Sequence, residues 1–445
     1  MTHVRVTVFG ALCALLALQT FSSQASSNPG DQVIALRVSK LLTRVPLVDG
    51  HNDLPWEIRE RFGGDLDRVD LSAQGARVGA KDVASDQPPL MTDIPRLRSG
   101  HVGAQFWSVF IPVSVTGPAA IKMTIEQIDL VKRMTRRYPM DLEMAFSAED
   151  VIRIHKSGRI ASLIGIEGGH QIDNSLAAMR QMYDLGARYM TLTHSSNTEW
   201  ADSATDNPAH AGLTDFGRAV VHEMNKTGMI IDLSHVSAET MKATLQATAA
   251  PVMFSHSSAR AIVDHPRNVS DDILVLVAKN RGVVMVNFFP GYVSDVFNNW
   301  INDRAAEQTR LNSPPFAGRY IGQPERVKAS MADWDRAHPA PIVTIADVAD
   351  HIEHVRKVAG VDCVGLGSDF DGIPMTPKGL DGVDKFPLLL EELARRGWSD
   401  EELAKVAGGN ILRVMREVER VSARLRATEQ PSNASIEPIR QGGAR

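Results

Sequence analysis

The sequence predicts an α/β protein built as a (β/α)8 TIM barrel, with long loops after strands 1 and 7. Three observations carry that expectation. Eight short, nearly continuous apolar runs recur along the chain. Amphipathic helical patterns fill the spaces between them. His, Asp or Glu stands at or near the end of six of the eight runs. Unbroken apolar runs mark strands buried on both faces, as in parallel sheets covered by helices.

The first run, 46–51, reads PLVDGH. Further runs follow at 104–113 (AQFWSVFIPV), 161–167 (ASLIGIE), 189–194 (YMTLTH) and 229–235 (MIIDLSH). The last three are 251–256 (PVMFSH), 283–289 (VVMVNFF) and 364–369 (VGLGSD). The first helical pattern, 125–137, places Ile128, Val131 and Met134 on one stripe. Others cover 175–185, 216–226, 238–247, 271–278, 345–358, 385–396 and 400–418. Strands alternating with helices argue for parallel βα units, and eight units for a closed barrel. An open doubly wound sheet is the alternative. Two stretches break the rhythm, polar 61–100 and 295–341, the latter rich in Asn, Arg, Pro and Trp. Loops that follow strands lie at the catalytic face of a barrel. Both stretches are therefore candidate lids or subsite walls, with surface padding as the plainer reading.

Composition narrows the class. The 445 residues are 43% hydrophobic and 23% charged, which is ordinary for a globular chain and excludes disorder, collagen and coiled coil. A net charge of −5 gives no reason to expect a nucleic-acid surface or a polybasic membrane patch. Two cysteines exclude a disulfide scaffold and a cysteine-ligated zinc ribbon.

Arg5 is the only formal side-chain charge before Asp31, the run 6–18 is apolar, and Ser23-Gln24-Ala25 ends it with small residues. Residues 1–25 read as a cleavable secretory signal. The apolar run is shorter than a membrane span needs, so no stable span is expected. Cleavage would remove Cys13 and leave Cys363 alone, so no intrachain disulfide could form. The barrel is expected over 26–425 and a polar, disordered tail over 426–445.

The chemistry lies at the strand ends. His51-Asn52-Asp53, Glu167-Gly168-Gly169, His194, His235, His256 and Asp369 would converge on one rim of a parallel barrel. Gathering such groups is costly in folding terms unless a cation neutralises them. A thiolate-free set of His and carboxylate suits a borderline metal, most often zinc. His51 and Asp53, two residues apart on an extended strand end, point the same way and can share one ion. His235 and His256, from adjacent strands, suit a second. Glu167 falls between the two groups and can bridge them. Its competing role is a carboxylate at the N-terminus of the helix 175–185. Two ions about 3.5–4 Å apart would hold a bridging hydroxide and polarise a carbonyl.

Asp369 could move a proton between that water and a leaving group. Asp371, before Gly372, fits a turn better. His194 is either a further ligand or a group that stabilises an oxyanion. Arg267 is either a bidentate partner for a substrate carboxylate or a surface residue. His101, His210, His338 and His351 lie in loops or helices and receive no role.

The segments VDGHNDLPW (48–56), IEGGHQIDNSL (166–176), LTHSSNTEWAD (192–202), IDLSHVS (231–237), PVMFSHSSAR (251–260), RNV (267–269), VMVNF (284–288) and GLGSDFDGIP (365–374) resemble the membrane (renal) dipeptidase family. The resemblance runs from about Val45 to Val418. It implies a (β/α)8 barrel with a binuclear zinc centre that hydrolyses dipeptides, including those with a C-terminal D-residue, and in some members β-lactams. Carried over by motif, His51 and Asp53 would bind one zinc, His235 and His256 the other, and Glu167 both. Asp369 would be the acid/base, and His194 would polarise the substrate. Arg267, with Tyr292, would hold the substrate carboxylate.

The family is often dimeric, so a homodimer is an expectation too. Its animal members are disulfide-bonded and lipid-anchored, with a Cys where Ser196 stands here. This chain lacks both features, which implies a periplasmic or secreted form. The insertion 295–341 follows Tyr292 and puts the exact specificity in doubt. Another amidohydrolase-type barrel acting on β-lactams, cyclic amides or esters is the alternative activity.

Overall fold

The structure is a computed structural model that describes residues 29–73, 89–314 and 317–436. Nine strands form one parallel sheet among the described residues. They are β1 (Leu47–Asn52), β2 (Val102–Phe110), β3 (Leu142–Met144), β4 (Ile160–Glu167), β5 (Ala187–Thr191), β6 (Ile230–Asp232), β7 (Met253–Phe254), β8 (Val283–Val286) and β9 (Val364–Leu366). β9 pairs with β1, and β2 pairs with β4. Eight strands therefore close into a barrel, which excludes the open doubly wound sheet.

β3 is an addition to the expected eight. It pairs with Ile160–Ser162 of β4, just before β5 joins that strand at Ile164. Three residues carry no periodic signal, so this strand was invisible in the pattern.

Alternate strand residues fall into two separate buried clusters. Val48, Phe106, Leu163, Tyr189, Met253 and Met285 belong to one and fill the barrel. Trp107, Ile164, Met190, Ile231, Phe254 and Val284 belong to the other and face the helices. This is the two-residue period of a strand with both faces covered. A Cβ at Gly165 would lie 1.9 Å from the Tyr189 ring, so the absence of a side chain there admits the phenol across the barrel.

Most of the expected helices form with small boundary shifts, among them Leu176–Asp184 and Ala238–Ala247, whereas the pattern at 125–137 belongs to a longer helix, Pro118–Arg137. The last pattern, 400–418, is instead Asp400–Ala404, a π-turn at Lys405–Gly409, and Asn410–Arg426. The stretch 61–100 holds the helix Ile94–Ser99. The 295–341 stretch is not a loop. It forms two helices, Asp295–Asn312 and Pro324–Ala337, clasped by Leu311, Val327 and Met331 and by a paired Arg304–Asp335 contact. Its apolar stripe is sparse, which hid the helical period.

The first part of the polar segment after Arg426 is tied to the helix Asp215–Thr227. Ser432 N donates to the buried Glu223, and Lys226 donates to the Gln430 carbonyl. The signal reading of residues 1–25 lies outside the described residues. No helix among the described residues is long and apolar enough to cross a membrane.

Candidate active site

The C-terminal ends of the strands carry the polar residues, as a parallel barrel requires. His51 lies near the end of β1, and Asp53 stands just before the helix Leu54–Phe62, its side chain making no capping bond. A register irregularity between Asp49 and Asn52 falls at this strand end, where it re-aims side chains. Glu167 is the last residue of β4. His194, His235, His256 and Asp369 follow β5, β6, β7 and β9. Ser175, not Glu167, caps the next helix, which disposes of the capping role for Glu167.

Glu167 is the centre of the arrangement. Its Oε1 lies 3.0 Å from His235 Nε2, 3.5 Å from His51 Nε2, 3.6 Å from His256 Nε2 and 3.7 Å from His194 Nε2. Three overlapping trios have ligand atoms within 4.8 Å of one another: His51–Glu167–His256, Glu167–His194–His235 and His51–Asp53–Asp369. Distances alone do not set His194 apart from the other imidazoles.

The surroundings orient these rings. Ser255 Oγ donates to Asp232 at 2.6 Å, so its oxygen accepts from His256 Nδ1 at 2.8 Å. That bond leaves His256 Nε2 as the bare nitrogen facing Glu167. His51 Nδ1 is 2.8 Å from the Tyr189 hydroxyl. Ser108 donates to Glu167 Oε2 at 3.2 Å.

Electrostatics suit a cation. Burial would raise the Glu167 carboxyl, but His51, His194 and the His235 hydrogen bond hold it well below the usual range. Burial, reinforced by Arg267, holds His235 and His256 well below the usual imidazole range, so they are neutral. Burial opposes a charge on His51, yet Tyr189, Asp53 and Glu167 raise it well above that range. A positive charge is thus drawn to the space between Asp53 and Glu167. His51 Nε2 is also buried and has no hydrogen-bond partner among the described residues. The residues therefore fit a metal bound through nitrogen and oxygen.

Asp369 and Asp371 differ in their partners. Asp369 Oδ2 accepts from Asn287 Nδ2 at 2.9 Å and belongs to the trio with His51 and Asp53. Burial, reinforced by Asp53 and Glu167, pushes its carboxyl up to about 7. Its backbone has φ of 66°, as does His235 at 67°, a conformation rare for non-glycine residues and often found at functional sites. Asp371 ties down the end of the 61–100 stretch by accepting from Met91 N at 2.7 Å. A Cβ at Gly372 would lie 2.1 Å from Asp53 Oδ2 and 2.8 Å from Asp369 Oδ1, so no side chain fits there. Gly168, φ 111°, gives the sharp turn expected after Glu167.

Arg267 is only 3% exposed, and its Nε and Nη1 have no hydrogen-bond partner among the described residues. Its guanidinium lies 5.4 Å above the Tyr292 ring. Asn268 Nδ2 donates to the Tyr292 carbonyl at 2.9 Å, and His265 Nδ1 accepts from Arg267 N at 3.1 Å. The surface-residue reading of Arg267 is therefore excluded.

These groups surround a cavity of about 520 Å³. Every expected site residue lines it except His51, which is wholly buried. No described residue of the expected lids, 61–100 and 295–341, lines it. Its walls come instead from Trp56, Glu57 and Glu60 on the helix after β1, from Phe110, Phe289 and the 371–374 turn. The helix wall was within reach of the sequence, since 56, 57 and 60 share one helical face next to His51 and Asp53. Asn287 stood in a quoted motif but received no role.

A family model described as membrane dipeptidase, peptidase family M19, matches residues 35–429. Dipeptidase 3 of Rattus norvegicus is 42% identical over 86% of this chain and 67% of its own length. The probable dipeptidase PvdM from Pseudomonas aeruginosa has a similar structure, with a TM-score of 0.71 and 24% identity over 88% of this chain and 99% of that one. A metallopeptidase from Rhodobacter sphaeroides, solved with a phosphinate mimic of the dipeptide L-Ala-D-Ala, gives a TM-score of 0.64 and 20% identity over 84% and 99%. The two structures share the barrel. With the family match spanning nearly all of the barrel, the chain belongs to the membrane dipeptidase family of metal-dependent dipeptide hydrolases.

Proposed function

We propose that the protein is a dipeptidase that uses two zinc ions, with Glu167 bridging them. His51 and Asp53 would hold one ion, and His235 and His256 the other. The observation that carries this reading is the convergence of four histidine Nε2 atoms within 3.0 to 3.7 Å of one Glu167 oxygen. Bound there, zinc would make a water nucleophilic near neutral pH and polarise the scissile carbonyl.

The remaining work falls to the chain. Arg267 offers its unpartnered N–H groups to the substrate's terminal carboxylate, beside Tyr292. A buried clamp of this kind selects substrates by length, because a further residue would remove the charge it holds. His194 lines the cavity and donates towards the carbonyl oxygen as negative charge grows there. Asp369 takes a proton from the attacking water and returns it to the departing amine. Dipeptides ending in a D-residue belong to the expected class. The 1–25 segment supports export to the periplasm or outside the cell.

The test combines metal analysis with a substrate panel. Close to two zinc per chain and cleavage of Gly-D-Ala-type dipeptides are the expected results. A folded, metal-loaded protein that opens esters or lactams but leaves dipeptides intact overturns the proposal.

A further inference from the structure

We propose that Ser203 is a positioning residue that couples His194 to His235 and thereby sets the geometry of one half of the metal centre. The inference rests on reading the Glu167 cluster as a zinc site. Ser203 Oγ donates to the His194 carbonyl at 2.6 Å and lies 3.4 Å from the His235 carbonyl. The next residue adds a second bond, Ala204 N to His235 O at 2.7 Å. One short strap thus holds the backbone of both histidines, whose rings stand 4.3 Å apart.

The strap is itself anchored. The buried Asp202 carboxylate accepts from the N–H groups of Ala209, His210 and Gly212. Asn197 accepts from Ser203 N at 2.7 Å and donates to the Asn207 carbonyl at 2.6 Å. Ser203 also forms an antiparallel bridge with Val236.

His235 needs such support. Its φ of 67° is a strained conformation for a residue with a Cβ, and it persists only where its surroundings impose it. The Ala204 N–H bond to its carbonyl does so, with the Ser203 hydroxyl in contact at 3.4 Å. The His194 carbonyl takes the stronger bond of the same hydroxyl, so a shift of one histidine moves the other. Ser203 touches neither metal nor substrate and acts through the two peptide groups.

The experiment compares Ser203→Thr with Ser203→Val, which have the same shape and differ in the hydroxyl. Zinc titration of the chelator-stripped proteins and the visible spectrum of their cobalt forms report the centre without catalysis. Thr should bind zinc like the wild type. Val should bind it on the order of tenfold more weakly, with an altered cobalt spectrum, a lower kcat and an unchanged KM. Equal zinc affinity and equal spectra for Thr and Val overturn the inference. If the wild type binds no zinc, the metal-centre reading itself fails, a result distinct from equality of the two variants.

Discussion

Asn287 holds the Asp369 carboxylate through a 2.9 Å hydrogen bond from Nδ2 to Oδ2. The bond favours the ionised acid, against burial that raises it to about 7. Asn287→Leu removes the donor and leaves the bulk, so the Asp369 pKa should rise. Asp369 must be ionised to accept a proton from water. The acid limb of the kcat/KM profile should therefore move to higher pH by roughly one unit, the equivalent of ~1.4 kcal/mol. An unmoved limb would separate that limb from Asp369. Asp369→Asn should lower kcat on the order of 10²-fold or more with zinc still bound. Loss of zinc would make Asp369 a ligand instead.

Arg267 should discriminate by substrate charge. Its free Nε and Nη1 sit in a site only 3% exposed, where a charge-assisted pair is strong. Arg267→Ala should lower kcat/KM for free dipeptides on the order of 10²-fold, matching about 3 kcal/mol. Dipeptides with a C-terminal carboxamide should be cleaved equally by variant and wild type. Arg267→Lys should not restore activity, because an ammonium lacks the planar fork. Equal losses on both substrates would show general damage rather than a lost clamp.

Gly372 is required for space. The Cβ of Gly372→Ala would meet Asp53 Oδ2 at 2.1 Å and Asp369 Oδ1 at 2.8 Å. Asp53 is a proposed ligand, so the variant should fold but bind zinc on the order of tenfold to a hundredfold more weakly. Metal content after dialysis against a weak chelator, with circular dichroism as the folding control, measures this. Zinc affinity equal to the wild type would mean that Asp53 moves aside without being a ligand.

How much was legible follows from what each residue does alone. His51, Glu167, His235 and His256 end apolar runs, and a polar group in that position is conspicuous in any sequence. Asn287, Ser108 and Tyr189 act only through contacts with distant residues, and Ser203 through backbone carbonyls that no side-chain pattern marks. Tyr189 meets His51 across 138 residues of chain, a pairing that no local pattern encodes. The helices 295–312 and 324–337 were hidden for another reason. Phe297, Leu311, Val327 and Met331 are their only buried residues among those described. Trp56, Glu57 and Glu60 line the cavity without standing out in the sequence, because length and polarity do not say which segment folds inward.

His351 received no role from the sequence and proves to be a structural joint. Its Nδ1 accepts from Ala259 N at 3.0 Å, and Nε2 donates to the Val293 carbonyl at 3.3 Å. It thereby ties the helix Ile345–Ala359 to the segments that follow β7 and β8. Burial lowers its pKa from 6.5 to about 4. The unfolded chain therefore takes up a proton below pH 6.5 that the folded chain refuses until about pH 4. The stabilisation is fully present above the first value and is lost as the pH falls towards the second. His351→Gln can keep both hydrogen bonds without titrating. Between about pH 7.5 and pH 5, the metal-free wild type should lose roughly 2 kcal/mol more stability than this variant. Urea unfolding at the two pH values measures the difference, in which the other buried histidines cancel. Parallel pH dependences for the two proteins would show that His351 is protonated in the folded state.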